Sequence, residues 1–340
     1  MRAVAYENPL PIAEAASLAD VELPKPEPKG RDLLVEVKAV SVNPVDAKVR
    51  ATTKPEPGAK KVLGWDASGV VVGAGSEASL FRPGDTVFYA GAIDRQGTNS
   101  EYHLVDERIV GKKPASLSFA EAAALPLTAI TAWEALFDRL DIRRPVPGAA
   151  HSVLIVGGAG GVGSIAVQLV RQLTDLTVIA TASRPATQAW CRELGAHHVV
   201  DHAKPLSGEL AKLGIGAPGF VFLTTQAQAH LLEIATLIAP QGRLALIDTA
   251  KLPELGALMR KSVSLHWEMM FTRPLFGTAD MTAQHELLNE VSRLVDAGTI
   301  RTTLTERFGK INAANLKRAH AFIESGRARG KAVLEGFGPG

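Results

Sequence analysis

The sequence predicts an α/β protein made of two parts, a β-rich, barrel-like unit and a doubly wound parallel sheet. Three observations carry this prediction. Short branched strands separated by Pro and Gly turns fill the first third of the chain. From Ser152 onward, apolar strands alternate with helices. Between the first of those strands and its helix lies a glycine cluster with the spacing of a dinucleotide-binding loop.

In the first third, residues 33–40 and 69–73 read as strands, and Pro83-Gly84-Asp85 makes a turn feeding a strand at 86–89. Pro- and Gly-rich segments at 24–30 and 55–58 separate them. Helices are predicted over 119–125 and 128–140. The alternating region then gives strand 153–156, helix 164–172, strand 177–181, helix 186–194, and strands at 198–201, 220–223, 244–248 and 263–267. A helix at 283–297 precedes residues 301–304, a C-terminal helix and Ala332-Val333-Leu334. The simplest closure returns the C-terminal segment to the first unit. The predicted division is 1–124 with 272–340, and 125–271, with substrate in the cleft between them.

With 340 residues, each unit can bury its own core. A formal net charge of +2 without a dense Lys/Arg block leaves no nucleic-acid footprint. Cys191 is the single cysteine, so no intrachain disulfide can form. The first residues lack a signal-type apolar core. The uncharged stretch 153–170 contains five glycines in a cluster, which suits a loop better than a membrane span. A cytoplasmic location without membrane attachment is expected.

Gly158, Gly160 and Gly163 match G-x-G-x-x-G, with Gly161 and Val162 between them. The glycines are expected to serve tight turning, backbone approach to a pyrophosphate and close helix packing, in that order. The helix N-terminus adds free N–H groups and a positive dipole end. NAD enzymes place an acid about 20 residues further on, at the end of the second strand. Here 176–192 contains no carboxylate, and the strand runs into Ser183 and Arg184. A hydroxyl and a guanidinium suit a 2′-phosphate, so NADPH is the expected cofactor. The alternative for Arg184 is an ordinary surface charge.

One cysteine excludes zinc sites that need two or more cysteine ligands. His197, His198 and His202 lie close in sequence, but neighbouring strand residues face opposite ways and four residues span about 13 Å. His285-Glu286 lacks the second histidine of H-E-x-x-H, and His266 with Glu268 lacks a third ligand. No serine sits in G-x-S-x-G, and no tyrosine has a lysine four residues later. No metal site is expected.

The motif order resembles the medium-chain dehydrogenase/reductase superfamily, and its zeta-crystallin-like quinone oxidoreductase branch in particular, over essentially the whole chain. The resemblance rests on Asn43-Pro44-Val45-Asp46, Gly64-Trp65-Asp66, Pro83-Gly84-Asp85, Leu125-Pro126-Leu127-Thr128 and the glycine loop. It implies a GroES-like β-barrel catalytic domain, a Rossmann domain and a homodimer, with 262–270 near the dimer seam. It also implies independence from zinc, because zinc-dependent relatives carry Cys where this chain has Asn43 and His where it has Trp65. Thr128 resembles the position near the nicotinamide. Thr187 departs from the lysine with which many quinone reductases hold the 2′-phosphate.

The expected reaction is hydride transfer from NADPH to a quinone or a small α,β-unsaturated carbonyl compound. Its rivals are a 2-alkenal or enoyl-thioester reductase and a non-catalytic, redox-sensing NADPH-binding protein. Asn43 is the candidate donor to the carbonyl oxygen, or else a turn residue before Pro44. Asp46 either orients the site or caps a helix, and Trp65 either walls the pocket or packs in the core. Arg329 and Lys331 either reach cofactor phosphate or lie on a solvated face.

Overall fold

The computed structural model describes residues 1–248 and 256–338, and the chain divides into two units, Met1–Ile130 with Phe271–Gly340, and Thr131–Met270. The first begins with strands β1 (Arg2–Tyr6) and β2 (Ala19–Glu22), which pair antiparallel. Then come β3 (Asp32–Val42), helix α1 (Pro44–Thr52), β4 (Lys61–Val62), β5 (Ala67–Ala74), β6 (Thr86–Tyr89), β7 (Tyr102–Asp106) and β8 (Val110–Lys112). Pro44 opens α1 with its φ already helical and no N–H to satisfy. Helices α2 (Phe119–Ala123) and α3 (Pro126–Trp133) follow. Ser118 and Glu121 cap α2 reciprocally, the hydroxyl accepting from the Glu121 N–H and the carboxylate from the Ser118 N–H.

The second unit is built from β9 (Ala150–Val156), α4 (Gly161–Leu173), β10 (Thr177–Thr181), α5 (Pro185–Glu193), β11 (His198–Val200), α6 (Leu206–Ala211), β12 (Pro218–Leu223), α7 (Ala227–Leu237), β13 (Arg243–Leu246), α8 (Gly256–Arg260) and β14 (Ser264–Trp267). All pairings in this sheet are parallel, in the order β11-β10-β9-β12-β13-β14. That is the doubly wound Rossmann order, and it reverses direction between β9 and β12. Leu154, Val156, Ile179, Val221, Leu223, Leu244 and Leu246 are buried together. Strands covered on both faces explain the continuous apolar runs in the sequence.

The chain then returns to the first unit through α9 (Thr272–Phe276), α10 (Ala283–Asp296), β15 (Leu304–Arg307), α11 (Ala313–Glu324) and β16 (Lys331–Glu335). β3 is the hub of this unit's main sheet. β5 lies along one edge, while β7 and β16 share the other end to end, β7 at residues 32–36 and β16 at 39–42. Among the described residues no helix is long and apolar enough to cross a membrane.

The helix expected over 128–140 changes winding at Glu134, where a π-helical stretch runs to Arg139. Its first residue, Glu134, is fully buried with its carboxyl close to that of Glu268, while Arg139 Nε donates to Glu268 at 3.0 Å. Burial, and then the neighbouring Glu134, push Glu268 up to about 9, against the pull of Arg139. A carboxyl whose folded pKa exceeds its unfolded value stabilises most below the unfolded value. That stability is lost as pH rises toward the folded one. Glu268→Gln, which imitates the protonated acid, should therefore gain in melting temperature relative to the parent as pH rises from about 5 to about 9. A difference that stays constant over that range would overturn the raised Glu268 carboxyl.

Candidate functional site

In the second unit the loop after β9 makes its turn at Gly157, where φ is +84°. The turning role expected of Gly158 therefore falls one residue earlier. Gly158 is needed for packing, since a Cβ there would lie 2.7 Å from Ala180 Cβ and 3.2 Å from Cys191 Sγ. A Cβ on Gly163 would overlap the Gly157 carbonyl oxygen, so α4 could not sit so close to the loop with any larger residue. Gly160 is the N-cap of α4, and a Cβ there would meet nothing nearer than 3.5 Å. It would project into the cradle rather than into the protein.

The amides of Gly161, Val162 and Gly163 form the first turn of α4 and have no acceptor within the helix. Gly160 to Val162 are half-buried, and the sequence beside them contributes no side chain larger than valine. Open backbone, unspent N–H donors and a helix dipole fit a pyrophosphate. The loop is anchored from β10, where Thr181 Oγ1 accepts from the Gly157 N–H at 3.0 Å and the Thr181 carbonyl accepts from the Gly158 N–H at 3.0 Å.

At the end of β10, Ser183 is half-buried and Arg184 exposed at the N-cap of α5. Thr187 is buried, its hydroxyl donating to the Arg184 carbonyl at 2.9 Å. It supports the turn that presents Arg184. Just beyond β11, His202 Nδ1 lies 2.8 Å from Thr181 Oγ1. The sequence offered His202 only as a metal ligand rejected on strand geometry, and gave Thr181 no role.

The candidates of the first unit form a different arrangement. Lys331, expected at a cofactor phosphate, is instead only 3% exposed. Its ammonium donates to Asp66 Oδ2 at 2.8 Å, to the Val42 carbonyl at 3.3 Å and to Asn43 Oδ1. Three acceptors use its three protons. Asn43, expected to face a substrate oxygen, is turned into this cluster, with Nδ2 donating to Asp66 Oδ2 at 2.8 Å. Asp66 accepts the Leu127 N–H on its other oxygen at 2.8 Å, fixing the first turn of α3. Burial pushes the Asp66 carboxyl upward, and Lys331 opposes it.

Asp46 takes the capping role, accepting the Asn43 N–H at 2.7 Å from the first turn of α1. Burial pushes it up to about 7. Trp65 is buried, its Nε1 donating to the Ala92 carbonyl at 3.1 Å and its ring meeting Phe271 edge-on at 6.1 Å. Thr128 is buried on α3 and donates to the Leu125 carbonyl at 3.0 Å. Arg329 is half-buried between α11 and β16, and its carbonyl accepts from the Thr305 hydroxyl. Asn43 and Lys331 thus come together with Asp66, which sequence reasoning left without a role. Among the described residues, no group of three or more His, Cys, Asp or Glu is arranged to hold a metal ion.

A sheet in Rossmann order with a glycine loop, joined in one chain to a β-rich unit that both termini share, defines a class of two-unit, nicotinamide-dependent oxidoreductases. Family models agree, with residues 29–130 matching the alcohol dehydrogenase GroES-like domain and 194–334 the zinc-binding dehydrogenase domain. A zinc-type alcohol dehydrogenase-like protein of Staphylococcus aureus strain MSSA476 is 39% identical over 336 residues, 98% of this chain and 99% of its own. The chain belongs to the medium-chain dehydrogenase/reductase superfamily. A crystal structure from Rhizobium etli CFN 42, provisionally named a zinc-dependent alcohol dehydrogenase, is 66% identical with a TM-score of 0.98, covering 100% of this chain and 99% of its own. The 2-methylene-furan-3-one reductase of Solanum lycopersicum is 29% identical over 320 residues, 91% of this chain and 73% of its own.

Removing one member of a buried ion pair leaves the other charge unpaired, which costs about 3–5 kcal/mol. Lys331→Met should lose about that much in urea unfolding, and adding Asp66→Asn should recover most of it. Losses that simply add in the double variant would show that the two groups are not coupled.

Proposed function

We propose that this oxidoreductase uses NADPH to reduce quinones or small α,β-unsaturated carbonyl compounds without zinc. The observation that carries the cofactor choice is the end of β10, which offers Ser183 and Arg184 and no carboxylate from residue 176 to 192. When bound, NADPH supplies the hydride. Gly160 and the first-turn amides of α4 hold the pyrophosphate, and Arg184 pairs with the 2′-phosphate.

The acceptor class follows from what the chain spends elsewhere. The Asn43 amide and the Lys331 ammonium are engaged with Asp66. This favours a substrate that carries its own electron deficiency, as quinones and enones do. The tomato relative supports the enone arm, since its named substrate is an α,β-unsaturated ketone. Independence from zinc is supported by Asn43 and Trp65, neither of them a metal ligand, with Asn43 hydrogen-bonded inside the protein.

We further propose a homodimer. β14 is an edge strand that pairs with β13 alone among the described residues, and Trp267 at its end is 50% exposed. Sedimentation should give about twice the chain mass; a monomer at micromolar concentration would exclude it.

Chelator-treated protein incubated with NADPH and a panel of quinones, enones and 2-alkenals should consume nicotinamide absorbance. No loss above background with saturable NADPH binding would instead support a non-catalytic binding protein. Arg184→Ala should weaken NADPH about tenfold or more, as loss of a charge-assisted contact does, and NADH little. Equal losses would take Arg184 out of the 2′-phosphate site.

A further inference from the structure

We propose that His202 is a second specificity-determining residue for the dinucleotide, an imidazole that adds a switchable positive charge beside Arg184 at the 2′-phosphate end. The inference rests on the NADPH reading above. It begins with a hydrogen-bonded chain that runs from the glycine loop to this ring. The Gly157 N–H donates to Thr181 Oγ1, and that oxygen lies 2.8 Å from His202 Nδ1. Thr181 stands at the end of β10 and His202 just past the end of the neighbouring β11. Ligands of such sheets bind beyond these strand ends. His202 is half-buried, and among the described residues its one hydrogen bond is made by Nδ1, which leaves the other nitrogen available to a ligand.

The Thr181 hydroxyl has already accepted from Gly157, and its own proton is best placed on Nδ1 of a neutral His202. Protonating the ring reverses that bond, with Nδ1–H now donating to Thr181. The Gly157 contact survives either way. The ring can therefore change charge without dismantling the loop.

The groups around it set the balance. His230 on α7 packs against His202, with ring centroids 6.1 Å apart, and Glu233 of the same helix acts on His230. Arg184 approaches from the start of α5. On the ring's own loop, Asp201 is paired with Lys204 at 3.7 Å, and Glu209 of α6 meets the Asp201 backbone amide. Burial keeps the His202 ring below its ordinary value, with His230 and Arg184 pressing the same way and Asp201 the other. A bound phosphate dianion would favour the protonated ring, so proton uptake and NADPH binding assist each other. NADH lacks that phosphate and has no such linkage. The phosphate itself titrates near pH 6, and its protonation weakens binding toward acid in every variant alike.

The test measures dissociation constants of NADPH and NADH by nicotinamide fluorescence between about pH 6.5 and pH 8.5, for the parent, His202→Gln and Arg184→Ala. The parent's preference for NADPH should rise about three- to tenfold toward the acid end, the scale of one added, partly screened charge. In His202→Gln, whose amide can still bond Thr181, the preference should stay flat or fall. A parent preference that does not change with pH, or the same slope in His202→Gln, overturns the role of His202 while NADPH binding stands. Absence of saturable binding of either nucleotide overturns both readings. Melting of the unliganded His202→Gln protein should match the parent; a large drop would mark His202 as structural and overturn the proposal.

Discussion

A lysine ammonium can be buried only if an anion and enough acceptors come with it, because desolvating the charge alone costs several kcal/mol. The first unit meets that demand with Lys331, and much of its architecture converges there. The end of β3 supplies the Val42 carbonyl, the next residue supplies the Asn43 amide, and the segment entering β5 supplies Asp66. Asp66 then reaches the Leu127 N–H with its second oxygen, so the start of α3 is fastened to the same point. The pairing of β16 with β3 is bound to this arrangement as well. Ala332 stands opposite Val42, which puts Lys331 at the end of the ladder, where its ammonium can enter the cluster. A slip of one residue would turn the lysine to the other face of the sheet.

This cluster was not legible in the sequence. Lys331 and Asp66 are 265 residues apart, and no spacing rule connects them. Read alone, a lysine near the C-terminus looks like a solvated or phosphate-binding group, and an asparagine before proline looks like a donor or a turn. Both readings treat the side chain as available. What decides the matter is burial, and burial of a polar side chain depends on partners that only the tertiary fold brings.

The second unit was far more legible, because its constraints are local. Strand 177–181 stands in the structure as read, and the strands at 153–156 and 220–223 lie within β9 and β12. Their apolar, branched runs follow from burial on both faces. The glycine loop was also visible, since each glycine answers to a neighbour within a few residues or on the adjacent strand. One role was misplaced by a position, with the positive φ at Gly157 rather than Gly158. Helix α7 was missed for a physical reason. It starts after Gln226 in the left-handed region and lacks a side-chain cap, so the usual starting signal is absent. The π-helical turn at Glu134 was hidden too, because its marker is a carboxyl pair with Glu268 far along the chain.

The two units divide the chemistry in a way that composition alone would not suggest. The first turns Lys331, Asn43 and Asp66 inward onto one another. The second leaves its polar groups outward at the strand ends: unspent amides at α4, Ser183 and Arg184 after β10, and His202 after β11. NADPH and NADH differ by one phosphate group, so a protein that distinguishes them does so chiefly by charge. A carboxylate at the end of the second strand would repel that phosphate, and in the proposed reading Arg184 there reverses the sign of the field. Asp201, just after β11, is engaged by Lys204 at 3.7 Å and by the Ala203 N–H. The same economy points to the acceptor. With the Asn43 amide and the Lys331 ammonium held in their cluster, the proposed acceptor is one that brings its own activation, as conjugation to a carbonyl does.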